Sequence, residues 1–246
     1  MKPGKKNKGG KRPGVIRAAV VVAVSALLLY QLGLFAMIVW FRFNNPGSSA
    51  FMRTTLAELR VKHPSASLQQ QWVPYGQIST NLKRAVIASE DSNFVDHDGV
   101  EWEAIRKAWE YNQRQEELGR SKRRGGSTIT QQLAKNLFLS GSRTYLRKGQ
   151  ELILAYMIEF VMDKQRILDL YLNLAQWGGN IFGAEAAARH YYHISAARLN
   201  PAQAAQLAAM LPNPDYFGDH RNSSYLHARA RIIEHRMRLV DIPRLH

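Results

Sequence analysis

Hydrophobic residues along this chain follow two regimes. From Ala18 to Phe41 there are 24 residues without a charged side chain, a continuous apolar run long enough to cross a hydrocarbon core as a helix. Beyond Pro64 the apolar positions recur every three or four residues, the period of helices with one buried face. STNLKRAVIASE opens on a Ser/Thr cap and sets Leu82, Ala85 and Val86 on one side. EWEAIRKAWEYNQRQEEL does the same with Trp102, Ile105, Ala108 and Trp109, then stops at Gly119. ELILAYMIEFVM is apolar nearly all round, which predicts a buried central helix. QRILDLYLNLAQ follows, then the glycine-marked loop WGGNIFG and a helix from about Ala184. Asn200-Pro201-Ala202-Gln203 opens another helix, with an Asn cap, Pro at the first helical position and Gln three residues after the cap. LPNPDYF closes it, and SYLHARARIIEHRMRLV supplies a basic last helix. No run alternates apolar and polar for long enough to require a sheet, so the expected class is all-α.

Between the two regimes, NNPGSSA (Asn44 to Ala50) reads as a turn-rich linker and FMRTTLAELR as a short amphipathic helix beside the membrane. Residues 1–17 carry Lys2, Lys5, Lys6, Lys8, Lys11, Arg12 and Arg17 and no acid, so the positive-inside rule keeps the N-terminus in the cytoplasm. A cleaved signal peptide is the competing reading. Against it, the apolar run is about twice a usual signal core, and FRFNNPG lacks small residues at an A-x-A-like spacing. An uncleaved signal anchor with Trp40 at the outer interface is therefore expected. At 246 residues and 28.0 kDa the chain has room for one core-bearing domain besides this anchor. The expected organisation is a basic tail (1–17), a transmembrane anchor (18–41), a linker and membrane-proximal segment (42–71) and a helical domain (72–246).

The formal charge of +15 invites a nucleic-acid reading, but 7 of the 34 Lys and Arg lie in the tail, leaving 27 against 19 acids. An excess of that size beyond a membrane suits phospholipid headgroups or phosphorylated lipids and argues against nucleic acid. The absence of cysteine fits an oxidising compartment in a protein that needs no disulfide.

Three constellations could carry chemistry. In RGGSTITQQLAKNLFLS, a helix starting near Ser127 puts Thr128, Gln132 and Lys135 within about 60° of each other, with Ile129, Leu133 and Leu137 on a stripe roughly 140° away. The two glycines ahead of it allow a backbone or ligand to approach, and the helix N-terminus favours anions. A capped surface helix with a solvated face is the alternative. In LRKGQELILAYMIE, Arg147, Lys148 and Glu151 share a face that continues as Leu154 and Ile158; buried charge is costly unless paired or used, while an exposed Arg–Glu pair one turn apart is commonplace. EDSNFVDHDG packs four acids and His97 into a turn after a helix, where Phe94 could shield Glu90 and raise its pKa toward a general base's range. A solvated acidic loop is the plainer alternative there. No HExxH, cysteine cluster, EF-hand loop or nucleotide-binding glycine loop occurs.

Taken in order, EDSNFVDHDG, GGSTITQQLAKN, RKGQELILAYMIE and ILDLYLN resemble the signature set of the peptidoglycan glycosyltransferases, a family found alone or fused to penicillin-binding transpeptidase domains. The similarity runs from about Trp72 to Phe217. No S-x-x-K or K-T-G follows, so the transpeptidase half is expected to be absent. The resemblance implies an all-α, lysozyme-like, two-lobed domain whose smaller lobe sinks into the bilayer near Phe51 and Met52. It implies polymerisation of lipid II into β-1,4-linked glycan with release of undecaprenyl diphosphate, at the bacterial inner membrane with the catalytic domain periplasmic. By the same resemblance Glu90 is the base, and Lys135, Arg143, Arg147 and Lys148 bind the diphosphate. Asp91, His97, Ser127, Thr128, Gln131 and Gln132 line the cleft. Glu151 is the second essential glutamate, either holding those cations or helping to bind Mg2+ or Mn2+; no organic cofactor is implied. Transpeptidases or division proteins are the expected protein partners.

Two features depart from the family pattern: Gln203 stands where Glu is usual, which should affect only a helix cap, and EYNQRQEELGRSKRR is expected to be a mobile loop over the cleft. The alternatives to a synthase are a lytic transglycosylase, whose neutral glycan needs no cluster of cations, and a membrane-tethered scaffold that binds lipid II without catalysis.

Overall fold

The computed structural model describes residues 13–121, 125–139 and 144–243. Arg143, one of the expected diphosphate ligands, lies outside the described residues. The chain opens with α1 (Pro13–Phe43), whose stretch Gly14–Phe43 is long and apolar enough to cross a membrane, with a mean hydropathy of 2.2 in its most apolar window. This is compatible with a single-pass anchor. Its C-terminal half is not bare: Leu34 and Ile38 are buried against the domain.

Helix α2 (Ala50–Lys62) is capped by Ser49, whose Oγ accepts from the Met52 N–H at 3.1 Å. The expected amphipathic helix is thus present, but its apolar side chains turn inward. Met52 is buried and Phe51 meets the Phe182 ring edge-on at 6.1 Å, so these two residues build the core rather than a lipid-facing ridge. Helix α3 (Thr80–Glu90) starts at the predicted Ser79 cap and buries Leu82, Ala85 and Val86. Helix α4 (Trp102–Glu117) departs from expectation. Only Ala108 and Gln115 are buried along it, while Trp102 and Trp109 are each 60% exposed. The helix itself runs as predicted through EYNQRQEE to Glu117, with Gly119 ending the turn at φ +64°, so this half of the segment also expected as a mobile loop is helical. Its salt-bridging Glu103, Arg106, Lys107 and Glu110 supply the one-turn pairs that favour a helix with little buried surface.

The next helices are α5 (Ile129–Phe138), α6 (Tyr145–Val161) and α7 (Lys164–Leu174). The centre of the molecule belongs to α7 rather than α6. Every residue from Ile167 to Leu174 is buried, whereas Ile153, Tyr156 and Phe160 on α6 point outward. The reason is position: α6 lies at the edge of the domain against α1, with Phe160 at 6.4 Å from the Phe35 ring, so its second apolar face has no core to enter. Asn173 on α7 ties in the preceding segment, its Oδ1 accepting from the Val73 N–H and its Nδ2 donating to the Val73 carbonyl.

WGGNIFG forms a hairpin instead of a plain loop. Strands β1 (Gln69–Gln70), β2 (Gln176–Gly178) and β3 (Ile181–Phe182) lie in the order β1-β3-β2, with β1 parallel and β2 antiparallel to β3. Helix α8 (Ala184–Tyr192) follows at the predicted place, and α9 (Pro201–Met210) carries the predicted capping box, Asn200 Oδ1 accepting from Gln203 N and Gln203 Oε1 from Asn200 N. Its small side chains Ala204, Ala205, Ala208 and Ala209 are fully buried and let α3 pack closely. A short α10 (Pro214–Asp219) leads to the basic α11 (Ser224–Arg236).

Candidate active site

Glu90 is the last residue of α3, where the helix ends and the EDSNFVDHDG turn begins. Its Oε2 accepts from Gln132 Nε2 at 2.9 Å, and its Oε1 accepts from Ser89 Oγ at 3.0 Å. Gln132 in turn accepts at its Oε1 from the Tyr171 hydroxyl at 3.0 Å. Burial, and then the charges of Glu90 and Asp91, push the Tyr171 pKa well above its ordinary value, so this phenol stays protonated and must donate. That fixes the amide: with its oxygen taken by Tyr171, Gln132 can offer Glu90 only its NH2 group. On the other side Arg229 of α11 donates to Ser89 Oγ at 3.2 Å and stands 4.0 Å from Glu90 Oε1. A groove of about 300 Å³ opens here between α3 and α11, floored by Ala88 and Ser89. Arg229 is the functional candidate that sequence reading missed, since nothing separates it from Arg231 and Arg236 in a basic helix.

Asp91 does a different job. Its buried carboxylate accepts from the Ile129 N–H at 2.9 Å and bonds His97 Nε2 at 2.9 and 3.1 Å. The N-terminus of α5 was expected to attract a substrate anion, and the anion found there is the chain's own Asp91. His97 is committed at both nitrogens, since Nδ1 accepts from the Gly99 N–H. Asp91, His97 and Glu101 offer oxygen and nitrogen atoms close enough to share an ion, but these hydrogen bonds, and Asn93 on Glu101, already engage the donors. Gly99 closes the turn at φ +85°, and a Cβ there would come within 2.7 Å of Glu159 Cγ. Glu159 holds the turn in place through Thr130 Oγ1 at 2.6 Å and Lys164 Nζ at 2.7 Å; Lys164 also donates to the His97 carbonyl.

Helix α5 starts at Ile129, two residues beyond the start near Ser127 that its polar pattern suggests. Thr128 is the cap, its Oγ1 accepting from Gln131 N while Gln131 Oε1 accepts from Thr128 N. Thr128 also donates to the Gly99 carbonyl at 2.6 Å. Both Thr128, which the helical wheel set on the open face, and Gln131, which the family resemblance set in the cleft lining, are buried and close the cap. The open polar face consists of Gln132 and Lys135, each half-buried in a helix whose other residues to Leu137 are buried. Gly126 serves close packing, because a Cβ would meet the backbone of Ala104 and Ile105 on α4 at 3.0 Å.

The second cluster sits on the first turns of α6. Thr144 caps the helix through the Arg147 N–H. Glu151 is buried, with Oε2 facing Arg147 Nη1 at 3.4 Å and Oε1 accepting from Lys148 Nζ. Lys148 also donates to Ser127 Oγ at 3.0 Å. Helix α5 therefore touches both clusters, Glu90 through Gln132 and Lys148 through Ser127 just ahead of its cap. Glu151 has a cation at each oxygen, Arg147 at Oε2 and Lys148 at Oε1.

A helical domain with one glutamate hydrogen-bonded by an amide and a hydroxyl and a second held by two cations is the form of a glycosyl transferase, and its apolar N-terminal helix is compatible with a membrane anchor. The transglycosylase family model matches residues 55–238, and the chain belongs to that family, with the all-α, lysozyme-like fold expected of it. Three similar proteins carry the name biosynthetic peptidoglycan transglycosylase. One from Bordetella pertussis is 66% identical over 229 residues, 93% of this chain and 95% of its own. Another from Janthinobacterium sp. is 55% identical, covering 91% and 95%, and one from Laribacter hongkongensis is 50% identical, covering 91% and 96%.

Proposed function

We propose that this peptidoglycan transglycosylase polymerises lipid II, a disaccharide-pentapeptide on undecaprenyl diphosphate, with Glu90 as general base and the α6 cations on the leaving group. The observation that carries the reading is the contrast between the two glutamates. Glu90 accepts from an amide and a hydroxyl, and the Arg229 guanidinium stands at 4.0 Å, so taking a proton there gives up only a long ion pair. Glu151 is clamped by Arg147 and Lys148, and protonating it would strand two cations. Two carboxylates in such different surroundings divide the work of base and support.

In the reaction a sugar 4-hydroxyl attacks the anomeric carbon that bears the α-linked diphosphate. The new O–C bond forms as the C–O bond to the diphosphate breaks, the hydroxyl proton passes to Glu90, and the electron pair leaves on undecaprenyl diphosphate. One in-line displacement inverts the centre and gives the β linkage. Negative charge grows on the departing diphosphate, where Lys135, Arg147 and Lys148 supply fixed positive charge. Glu151 orients Arg147 and Lys148. The basic tail of residues 1–17 faces the cytoplasm, α1 spans the inner membrane, and the domain works on its outer side, where enzyme and substrate share one bilayer.

The test is polymerisation of labelled lipid II by the detergent-solubilised full chain beside Glu90→Gln. Polymer from wild type that lysozyme digests, and none from the folded variant, is the expected result. A Glu90→Gln enzyme within twofold of wild type would remove Glu90 as base, and a folded wild type that binds lipid II without polymerising it would favour the scaffold.

A further inference from the structure

The outer half of α1 is docked on the catalytic domain by two polar contacts that a simple tether does not need. Every residue from Gly14 to Tyr30 is exposed, and from Gln31 onward one face turns to the domain: Gln31, Leu34, Phe35, Ile38 and Phe41, which share one side of a helix. Leu34 and Ile38 are buried, Phe35 meets Phe160 and Phe41 meets Phe138 at 6.1 Å. At the lower end of this face the Gln31 and Gln150 amides exchange two hydrogen bonds, Gln31 Nε2 to Gln150 Oε1 at 2.7 Å and Gln150 Nε2 to Gln31 Oε1 at 3.0 Å. At the upper end Arg166 of α7 donates to the Phe41 carbonyl at 2.8 and 3.0 Å and to the Asn44 carbonyl at 2.8 Å. It thereby satisfies carbonyls at the end of α1 that have no intrahelical partner, while Asp169 accepts from its other nitrogen at 2.7 Å.

We propose that the Gln31–Gln150 pair docks α1 onto α6 and makes the membrane helix part of the active-site scaffold, with Gln31 as a positioning residue. The proposal rests on the transferase reading above for its consequence, and on the geometry alone for the docking. Gln150 directly precedes Glu151 and lies within one turn of Arg147 and Lys148, so holding its side chain holds the turn that carries all three. Neighbouring α1 residues Leu32, Met37, Val39 and Trp40 stay exposed and apolar, so this stretch belongs in lipid, where an unpaired amide has no water to turn to. Mutual pairing answers that need once and fixes the rotation of α1 about its axis. A leucine in place of either glutamine would keep the anchor apolar and release the register.

The chain has no cysteine, so Gln31→Cys with Gln150→Cys introduces a single thiol pair into the full-length protein. In lipid nanodiscs a short bis-methanethiosulfonate reagent should join the two peptides, read by mass spectrometry after proteolysis. Gln31→Leu and Gln150→Leu should each lower kcat on lipid II about tenfold with KM within about twofold, and the double variant should be no slower than the poorer single one, because both changes break the same contact. Absence of the joined peptide overturns the docking whether or not polymer forms, which separates it from failure of the transferase reading. A Gln31→Leu enzyme with wild-type kcat overturns the positioning role even if the peptides join.

Discussion

Replacing Tyr171 by Phe removes one oxygen from a side chain that is 2% exposed, and no cavity larger than that atom results. What changes is the amide beyond it. In the wild type the Tyr171 hydroxyl occupies Gln132 Oε1 and leaves Gln132 Nε2 for Glu90. Without the hydroxyl the Gln132 carbonyl loses its donor, a loss of about 1–3 kcal/mol for a buried acceptor. The amide is then free to turn its oxygen toward Glu90, which replaces a donor with a repelling dipole. A hydrogen bond to a charged group contributes about 1.5–3 kcal/mol, so losing this one should slow turnover by about ten- to a hundredfold. The assay is initial-rate polymerisation of labelled lipid II for Tyr171→Phe, Gln132→Leu and the pair, with circular dichroism and a melting curve to establish folding. Because all three act through one chain of bonds, the double variant should match Gln132→Leu and not multiply the two losses. A folded Tyr171→Phe enzyme with turnover within twofold of wild type would refute the reasoning, as would strictly multiplicative losses.

Further outcomes follow from the same geometry. Lys135→Ala should lose most polymerising activity while keeping its helix content by circular dichroism; activity within twofold of wild type would take Lys135 out of the diphosphate role. Gly99→Ala should lower the melting temperature, since the left-handed backbone alone costs about 1–2 kcal/mol and its Cβ would meet Glu159 Cγ at 2.7 Å; an unchanged melting temperature would show that the turn can relax. Asp169 gives a pH-dependent test. Burial raises its pKa above 3.8 despite the Arg166 partner, so the folded protein holds this proton more tightly than the unfolded chain does. Its contribution to stability is fully present below pH 3.8 and is lost as pH rises through the higher folded value. Melting curves across the acid range should therefore show Asp169→Asn gaining on wild type as pH rises, and a constant difference would contradict the shift.

Much of the helical framework is legible in the sequence because caps and periodicity are local. The Ser79 and Asn200 caps, the buried stripe of α3 and the start of α8 need no knowledge of neighbours. Burial of whole helices is not local. ELILAYMIEFVM and QRILDLYLNL are comparably apolar, and only the tertiary arrangement puts α7 at the centre and leaves α6 at the edge beside α1. The tryptophans of α4 mislead for the same reason: the pattern supplies a face, yet Trp109 stays 60% exposed, as does Trp102, which meets α6 at the Tyr156 hydroxyl. Hairpin strands of two or three residues carry too few positions for an alternation to be visible.

The candidate site divides along the same line. Glu90, Lys135 and the Arg147–Glu151 turn are readable because a motif places charge at fixed spacing. Thr128, Gln131 and Asp91 sit in the same motifs, yet they serve the backbone: Thr128 and Gln131 close a capping box, and Asp91 fills the helix N-terminus that seemed open to substrate. A polar side chain at a helix start can satisfy either the chain or a ligand, and spacing alone does not choose. The chooser is the burial of the neighbouring backbone amides, which must find a partner inside the fold. Gln132 and Lys135, one turn further on, have no such duty, because the N–H groups beside them already bond within the helix. Past its first turn α5 can therefore turn polar side chains outward, and Gln132 turns its own to Glu90.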